Sequence, residues 1–171
     1  MDFSKAKPVS DDIFRVYKEM YAYDRAPLHA KAESVEQDSS DWRREKVTFL
    51  PARVSPPYQT VIFFPSSRVM DIPSTDKLGD MKFMDYVVRS GRAVVYPIYK
   101  GTYERAAPFP WVDSAAGRGT IIQDSMDLDR TIDYIETRND IDRNRFAYLG
   151  VSLGAAWGVQ FAAVEPRLKA G

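Results

Sequence analysis

The sequence predicts an α/β fold, a mostly parallel sheet with helices on both faces and an antiparallel hairpin on its N-terminal side. Three observations lead there. Short continuous apolar runs, Thr60-Val-Ile-Phe-Phe64, Ala93-Val-Val-Tyr96 and Arg145-Phe-Ala-Tyr-Leu149, have the length of strands covered on both faces. Stretches of helical spacing stand between and after them. The alternation, without internal repeat or low-complexity tract, is the pattern of strand–helix–strand units.

In chain order, Val9, Ile13, Val16, Tyr17 and Met20 form a helical stripe, with Ser10 or Asp11 as cap. Leu28–Val35 and Trp42–Leu50 lean towards period two and flank Gln37–Asp41, which predicts an antiparallel hairpin. Ser55-Pro-Pro57 reads as a loop before the Thr60–Phe64 strand. From Ser74 to Arg89 the spacing predicts a helix through Leu78, Met81, Met84 or Asp85, and Val88, capped by Gly91. Pro97 to Gly119 is rich in Gly, Pro and aromatics and reads as a long loop. Ile121, Ser125, Leu128, Ile132 and Ile135 mark the next helix, and Asn139–Asn144 a turn before the Arg145–Leu149 strand.

Composition narrows the function classes. The 171 residues suit one domain with a sizeable core. Lys plus Arg equal Asp plus Glu at 24 each, so no charge excess points to nucleic acid or an anionic membrane. With no cysteine, disulfides, thiolate metal sites and a cysteine nucleophile are excluded. No apolar run approaches the ~20 residues that cross a bilayer, and no leader-like segment opens the chain, so a cytoplasmic location is expected.

The chemistry concentrates at Gly150-Val151-Ser152-Leu153-Gly154, a G-x-S-x-G run between the last apolar strand and a helical stretch. Trp157, Phe161 and Val164 give that stretch one apolar face, and Pro166 ends it. This is the context of a nucleophile elbow, a serine on a tight strand-to-helix turn with its hydroxyl exposed. The glycines permit close backbone approach where a Cβ would clash. The Leu153 amide, opening the helix, would face an oxyanion formed at Ser152.

With these elements in place the chain resembles the α/β-hydrolases, and more narrowly the dienelactone-hydrolase and prolyl-oligopeptidase-like group. Pro56–Pro65, Ser90–Pro97, Tyr99–Arg105 and Asp133–Arg138 are similar to bacterial members sometimes fused behind a serine/threonine kinase module, although this chain has neither a Gly-rich kinase loop nor H-R-D. The resemblance implies a partial α/β-hydrolase fold and a serine hydrolase acting on a small ester or peptide-like substrate through an acyl-enzyme, with Ser152 as nucleophile and no cofactor or metal. It implies Leu153 as one oxyanion donor and Ser67, or less readily Ser66, as the second, where relatives often carry glycine.

The family's chain order is Ser, then acid, then His. Nineteen residues follow Ser152, with neither Asp nor His among them, and the sole histidine, His29, reads as an ordinary surface or packing residue. The expectation is one incomplete hydrolase domain over 1–171, with 1–25 a helical segment and 26–171 the hairpin and βα units through the elbow. The elbow strand is then expected at an open sheet edge prone to self-association.

Other candidates are weaker. Tyr99, Tyr103, Phe109 and Trp111 lie where a substrate pocket or plain core packing would use them. Asp124, Asp127, Asp129 and Asp133 share one helix and read as a solvated face rather than a metal site. Glu104-Arg105 reads as a surface ion pair. Two competing readings are a non-catalytic module whose sheet edge pairs with another chain, and a phosphate-cradling turn, for which G-x-G-x-x-G is missing.

Overall fold

Alternation of side chains along two central strands decides the layering. In the computed structural model, which describes residues 5–22, 37–38, 42–45, 48–51, 53–108 and 115–171, strand β4 (Tyr58–Phe64) sends Ile62 and Phe64 to one face and Val61 and Phe63 to the other. Strand β5 (Ala93–Val95) does the same with Ala93 and Val95 against Val94. Both faces are apolar, so both need cover. Helix α2 (Met81–Arg89) packs Met84, Val87 and Val88 on one side. Helices α3 (Ala115–Glu136) and α4 (Leu153–Val164) cover the other with Leu128, Ile132, Ile135, Trp157 and Phe161. The N-terminal helix is α1 (Asp11–Glu19).

The remaining strands are β1 (Gln37–Asp38), β2 (Trp42–Glu45), β3 (Thr48–Pro51), β6 (Ile141–Gly150) and β7 (Leu168–Ala170). They form one sheet in the order β1-β2-β3-β5-β4-β6-β7. The pairs β1–β2, β2–β3 and β3–β5 are antiparallel, and β5–β4, β4–β6 and β6–β7 are parallel. The α/β class, the parallel core and the helices on both faces match the sequence expectation.

Several details differ. The period-two run Trp42–Leu50 is two strands, with Glu45 opposite Thr48. The hairpin partner of β2 on its outer side is Gln37–Asp38, within the segment expected as loop, while Leu28–Val35 lies outside the described residues. The 74–89 helix begins only at Met81, because Gly79-Asp80 interrupts it and Asp80 takes φ 59°. Gly91, at φ 89°, closes α2 as expected, its amide donating to the Val88 carbonyl. Helix α3 begins at Ala115, inside the expected loop.

Strand β6 begins at Ile141, earlier than expected, yet the turn signal was physical. Tyr58 pairs with Ile141 and Thr60 with Phe146, so β6 bulges between them, where the Asn144 amide donates to Asp142 Oδ1 at 3.0 Å. The elbow strand is not at the edge. Three residues of β7 pair with it through Phe146–Leu168 and Ala147–Ala170, so β7 is the outermost strand on that side among the described residues.

The expected N-terminal stripe is helical, and the Ser10 hydroxyl accepts the Ile13 amide at 3.4 Å. Its apolar residues remain exposed, Val16 at 58%. No helix among the described residues is long and apolar enough to cross a membrane.

Candidate active site

The sheet brings the carboxyl ends of β4, β5 and β6 together, and Ser152 stands at the last of them. Its φ is 54° and ψ −106°, a combination that costs an L-residue on the order of 1–3 kcal/mol and persists only when its surroundings impose it. The imposing contacts are visible. The Val151 amide donates to the Phe64 carbonyl at 3.0 Å, locking the end of β6 to the end of β4. Immediately afterwards α4 begins, with Gly154 and Ala156 amides donating to the Val151 and Ser152 carbonyls. The chain therefore reverses within two residues, and the Ser152 side is solvent-exposed.

Both glycines are required by close approach. A Cβ on Gly150 would lie 2.4 Å from the Gly154 carbonyl carbon, and one on Gly154 would lie 2.5 Å from the Phe64 carbonyl oxygen. Leu153 is the first residue of α4, so its amide is one of the first-turn donors without an intrahelical acceptor.

Beyond β4, Pro65-Ser66 leads into a 3-10 turn over Ser67–Asp71. The Ser66 amide is already engaged, donating to Asp80 Oδ2 at 2.7 Å, while Ser67 is exposed at the start of the turn. Asp80 was not singled out by sequence reasoning, and the only signal was the Gly79-Asp80 break in an otherwise helical run. Among the described residues three non-glycines have positive φ: Asp80, Tyr103 and Ser152. The first two are linked, since the Tyr103 hydroxyl accepts the Gly79 amide at 2.9 Å and shares a 2.6 Å hydrogen bond with the Tyr96 hydroxyl. Backbone strain thus gathers at one end of the sheet.

The tyrosines expected either at a substrate pocket or in core packing belong to the core clusters. Tyr99 and Tyr103 are buried, Tyr99 stacked on Phe64 with ring centroids 3.9 Å apart. Aromatic surface of that size is worth more inside a core than on a loop, so the packing alternative prevails. Trp111, Phe109 and His29 lie outside the described residues.

The acidic face of α3 also differs from expectation. Asp124 and Asp129 are buried, and burial pushes each carboxyl up to about 8, helped by the neighbouring charge of Asp127 on the first and of Glu165 on the second. Asp127 instead binds Arg105 at 2.7 and 3.1 Å, while Glu104 accepts from the Thr75 amide and hydroxyl. Glu104 and Arg105 therefore tie down separate segments rather than each other. Asp133 receives Arg167 at 2.7 Å, and Arg167 also binds Glu136 and the buried Glu165. Burial opposes the Glu165 charge, but the Arg167 hydrogen bonds hold its carboxyl below the ordinary range.

A groove of about 400 Å³ lies beside this network, lined by Arg15, Lys18, Tyr21, Asp129, Val164 and Glu165. It is at the C-terminal end of α4, about 18 Å of helix away from Ser152, and so cannot hold an acyl group undergoing attack there.

No model of a known protein family matches the sequence, and no curated protein does. Solved structures do match. The methylesterase BT1017 superposes with a TM-score of 0.65 at 16% identity, over 92% of this chain and 38% of its own. An acetyl xylan esterase from Paenibacillus sp. R4 gives 0.57 at 19%, over 94% and 57%. A glucuronoyl esterase from Solibacter usitatus gives 0.56 at 14%, over 92% and 55%. The fold is α/β-hydrolase-like. The chain spans roughly half the length of the solved structures it matches.

Proposed function

We propose that this chain carries the nucleophile half of a serine esterase. One observation bears most of the weight: Ser152 is exposed at positive φ on a two-residue turn between β6 and α4, clamped by glycines that admit no side chain. A serine with only a structural role has no need of that conformation. In the proposed reaction Ser152 Oγ attacks an ester carbonyl and passes its proton to a base, and the carbonyl oxygen becomes an oxyanion. The Leu153 amide is one donor to that oxyanion. Ser67 is the second, because the Ser66 amide is committed to Asp80. Collapse expels the alcohol, which takes the proton, and water then releases the acid by the same steps reversed.

The acid and base are assigned to residues outside those described, consistent with solved relatives about twice as long. This keeps the reading of 1–171 as one incomplete hydrolase domain. The neighbours are a methylesterase, an acetyl xylan esterase and a glucuronoyl esterase, so a carbohydrate-borne ester is favoured over a peptide bond. The dienelactone-hydrolase-like sequence stretches support the same chemistry with a different substrate. Cytoplasmic placement belongs to this proposal and rests on composition alone.

A fluorophosphonate probe tests the reading on the full-length natural protein. Labelling at Ser152, abolished in Ser152→Ala with turnover of p-nitrophenyl acetate reduced about 10⁴-fold or more, is the expected result. Absence of labelling in the full-length protein overturns it. The second reading is a non-catalytic module whose sheet edge pairs with another chain. Sedimentation showing self-association without any labelling would select it.

A further inference from the structure

Three buried polar groups take no part in the chemistry above. Asp124, on α3, is 2% exposed and its Oδ1 makes no hydrogen bond among the described residues. The Tyr99 hydroxyl, fully buried, is likewise without a partner. The Tyr148 hydroxyl, also buried, donates to the Gly154 carbonyl at 2.7 Å. Asp124 lies one helical turn from Ile121 and Leu128, which pack into the core cluster that holds both tyrosines, and its neighbours Gln123 and Asp127 bind Lys100, the residue after Tyr99. Leaving a buried carboxyl and a buried phenol unsatisfied is costly, and native interiors rarely do so without a use.

The tyrosines touch the two parts that make the turn. Tyr99 stacks on Phe64, whose carbonyl holds Val151 and whose side chain abuts Gly154. Tyr148 holds the Gly154 carbonyl in the first turn of α4 and lies under Gly158, where a Cβ would meet its ring at 2.6 Å. One tyrosine therefore fixes the strand side of the elbow and the other the helix side.

We propose that Asp124 is a positioning residue for the elbow, its carboxyl linked through a buried water to the Tyr99 and Tyr148 hydroxyls, and that this link fixes the Leu153 amide relative to Ser152. The inference rests on the Ser152 reading and adds a second tier to it. Burial, with Asp127 on the same helix, keeps the acid protonated at neutral pH, while Arg105 and Lys100 from the segment after β5 act in the opposite direction. A protonated acid offers one donor and one acceptor, which is what two hydroxyls need. An asparagine offers the same pair without titrating.

The test compares Asp124→Asn, Asp124→Leu and Tyr99→Phe in the full-length protein, by fluorophosphonate labelling rate against pH and by hydrogen exchange at the Leu153–Ala156 amides. Asp124→Asn is expected to label within about threefold of wild type at pH 7 and to lose a fall in rate that the wild type shows above pH ~8. Asp124→Leu is expected to label at least tenfold more slowly and to exchange at least tenfold faster at those amides. Should the leucine variant fail to fold, Tyr99→Phe supplies the same comparison, with exchange at least threefold faster at those amides. Wild-type labelling and exchange in the leucine and phenylalanine variants overturn the proposal. A wild-type protein that does not label refutes the esterase reading instead, and the exchange data still decide the role of Asp124.

Discussion

The two ends of α4 are built on opposite principles. At the N-terminal end there is no ion pair among the described residues: the turn at Ser152 is held by backbone hydrogen bonds and by the missing side chains of Gly150 and Gly154. At the C-terminal end almost everything is charge, with Arg167 gathering Asp133, Glu136 and Glu165 against the buried Asp129. The first end must present a hydroxyl and an amide in fixed geometry, which backbone does well because it has no rotamers to choose. The second end only has to stay down, and a multidentate arginine does that while leaving the elbow's electrostatics to the amides. Anchoring and chemistry are separated along a single helix.

This contrast can be broken from either side, and the largest effect on function is expected at the N-terminal end. Gly154→Ala places a methyl against the Phe64 carbonyl, so it should destabilise by about 1–3 kcal/mol and slow labelling at Ser152 about 100-fold or more, as loss of an oxyanion donor does. Chemical denaturation and the probe measure the two together. Labelling at the wild-type rate would show that the close approach is not needed.

At the other end, Arg167→Met strands the buried Glu165 beside Asp129 and should cost about 3 kcal/mol, on the scale of a broken buried ion pair. Labelling per folded molecule should change little. A drop of equal size in both quantities would erase the distinction between the two ends.

A further effect comes from pH. Asp129 and Asp124 titrate near 8 in the fold, because burial disfavours their charge, against 3.8 when unfolded. Between those values the folded state keeps protons that the unfolded chain has lost, so both groups take stability away as pH rises from ~4 to ~8. Asp129→Asn should flatten part of that decline in melting temperature, and the double variant with Asp124→Asn more of it. An unchanged slope would mean that neither carboxyl is held neutral.

The smallest effect on stability is expected at the nucleophile itself. Ser152→Gly relieves the positive φ and should raise stability by about 1 kcal/mol while abolishing labelling. A destabilised glycine variant would show that the turn is not strained.

Much of this architecture was legible in residue order. Apolar runs of strand length, helical spacing at Trp157 and Phe161, and glycines two residues either side of Ser152 are local signals, and each describes what the nearby chain can do. The late start of α2 was not legible, since it depends on the Asp80 carboxylate reaching Ser66 across fourteen residues. Nor was the fate of the α3 acids. Asp124 and Asp127 are three positions apart with the same side chain, yet one is buried and the other pairs with Arg105.

Residue order by itself determined the α/β class, both covered faces of the sheet and the position of the elbow, because these follow from periodicity and from where a Cβ is missing. Only the tertiary structure decided that Tyr99 and Tyr103 are core, that β7 covers the elbow strand, and which carboxyls are buried. Those outcomes depend on which distant segments meet, and burial, unlike spacing, is a property of the meeting.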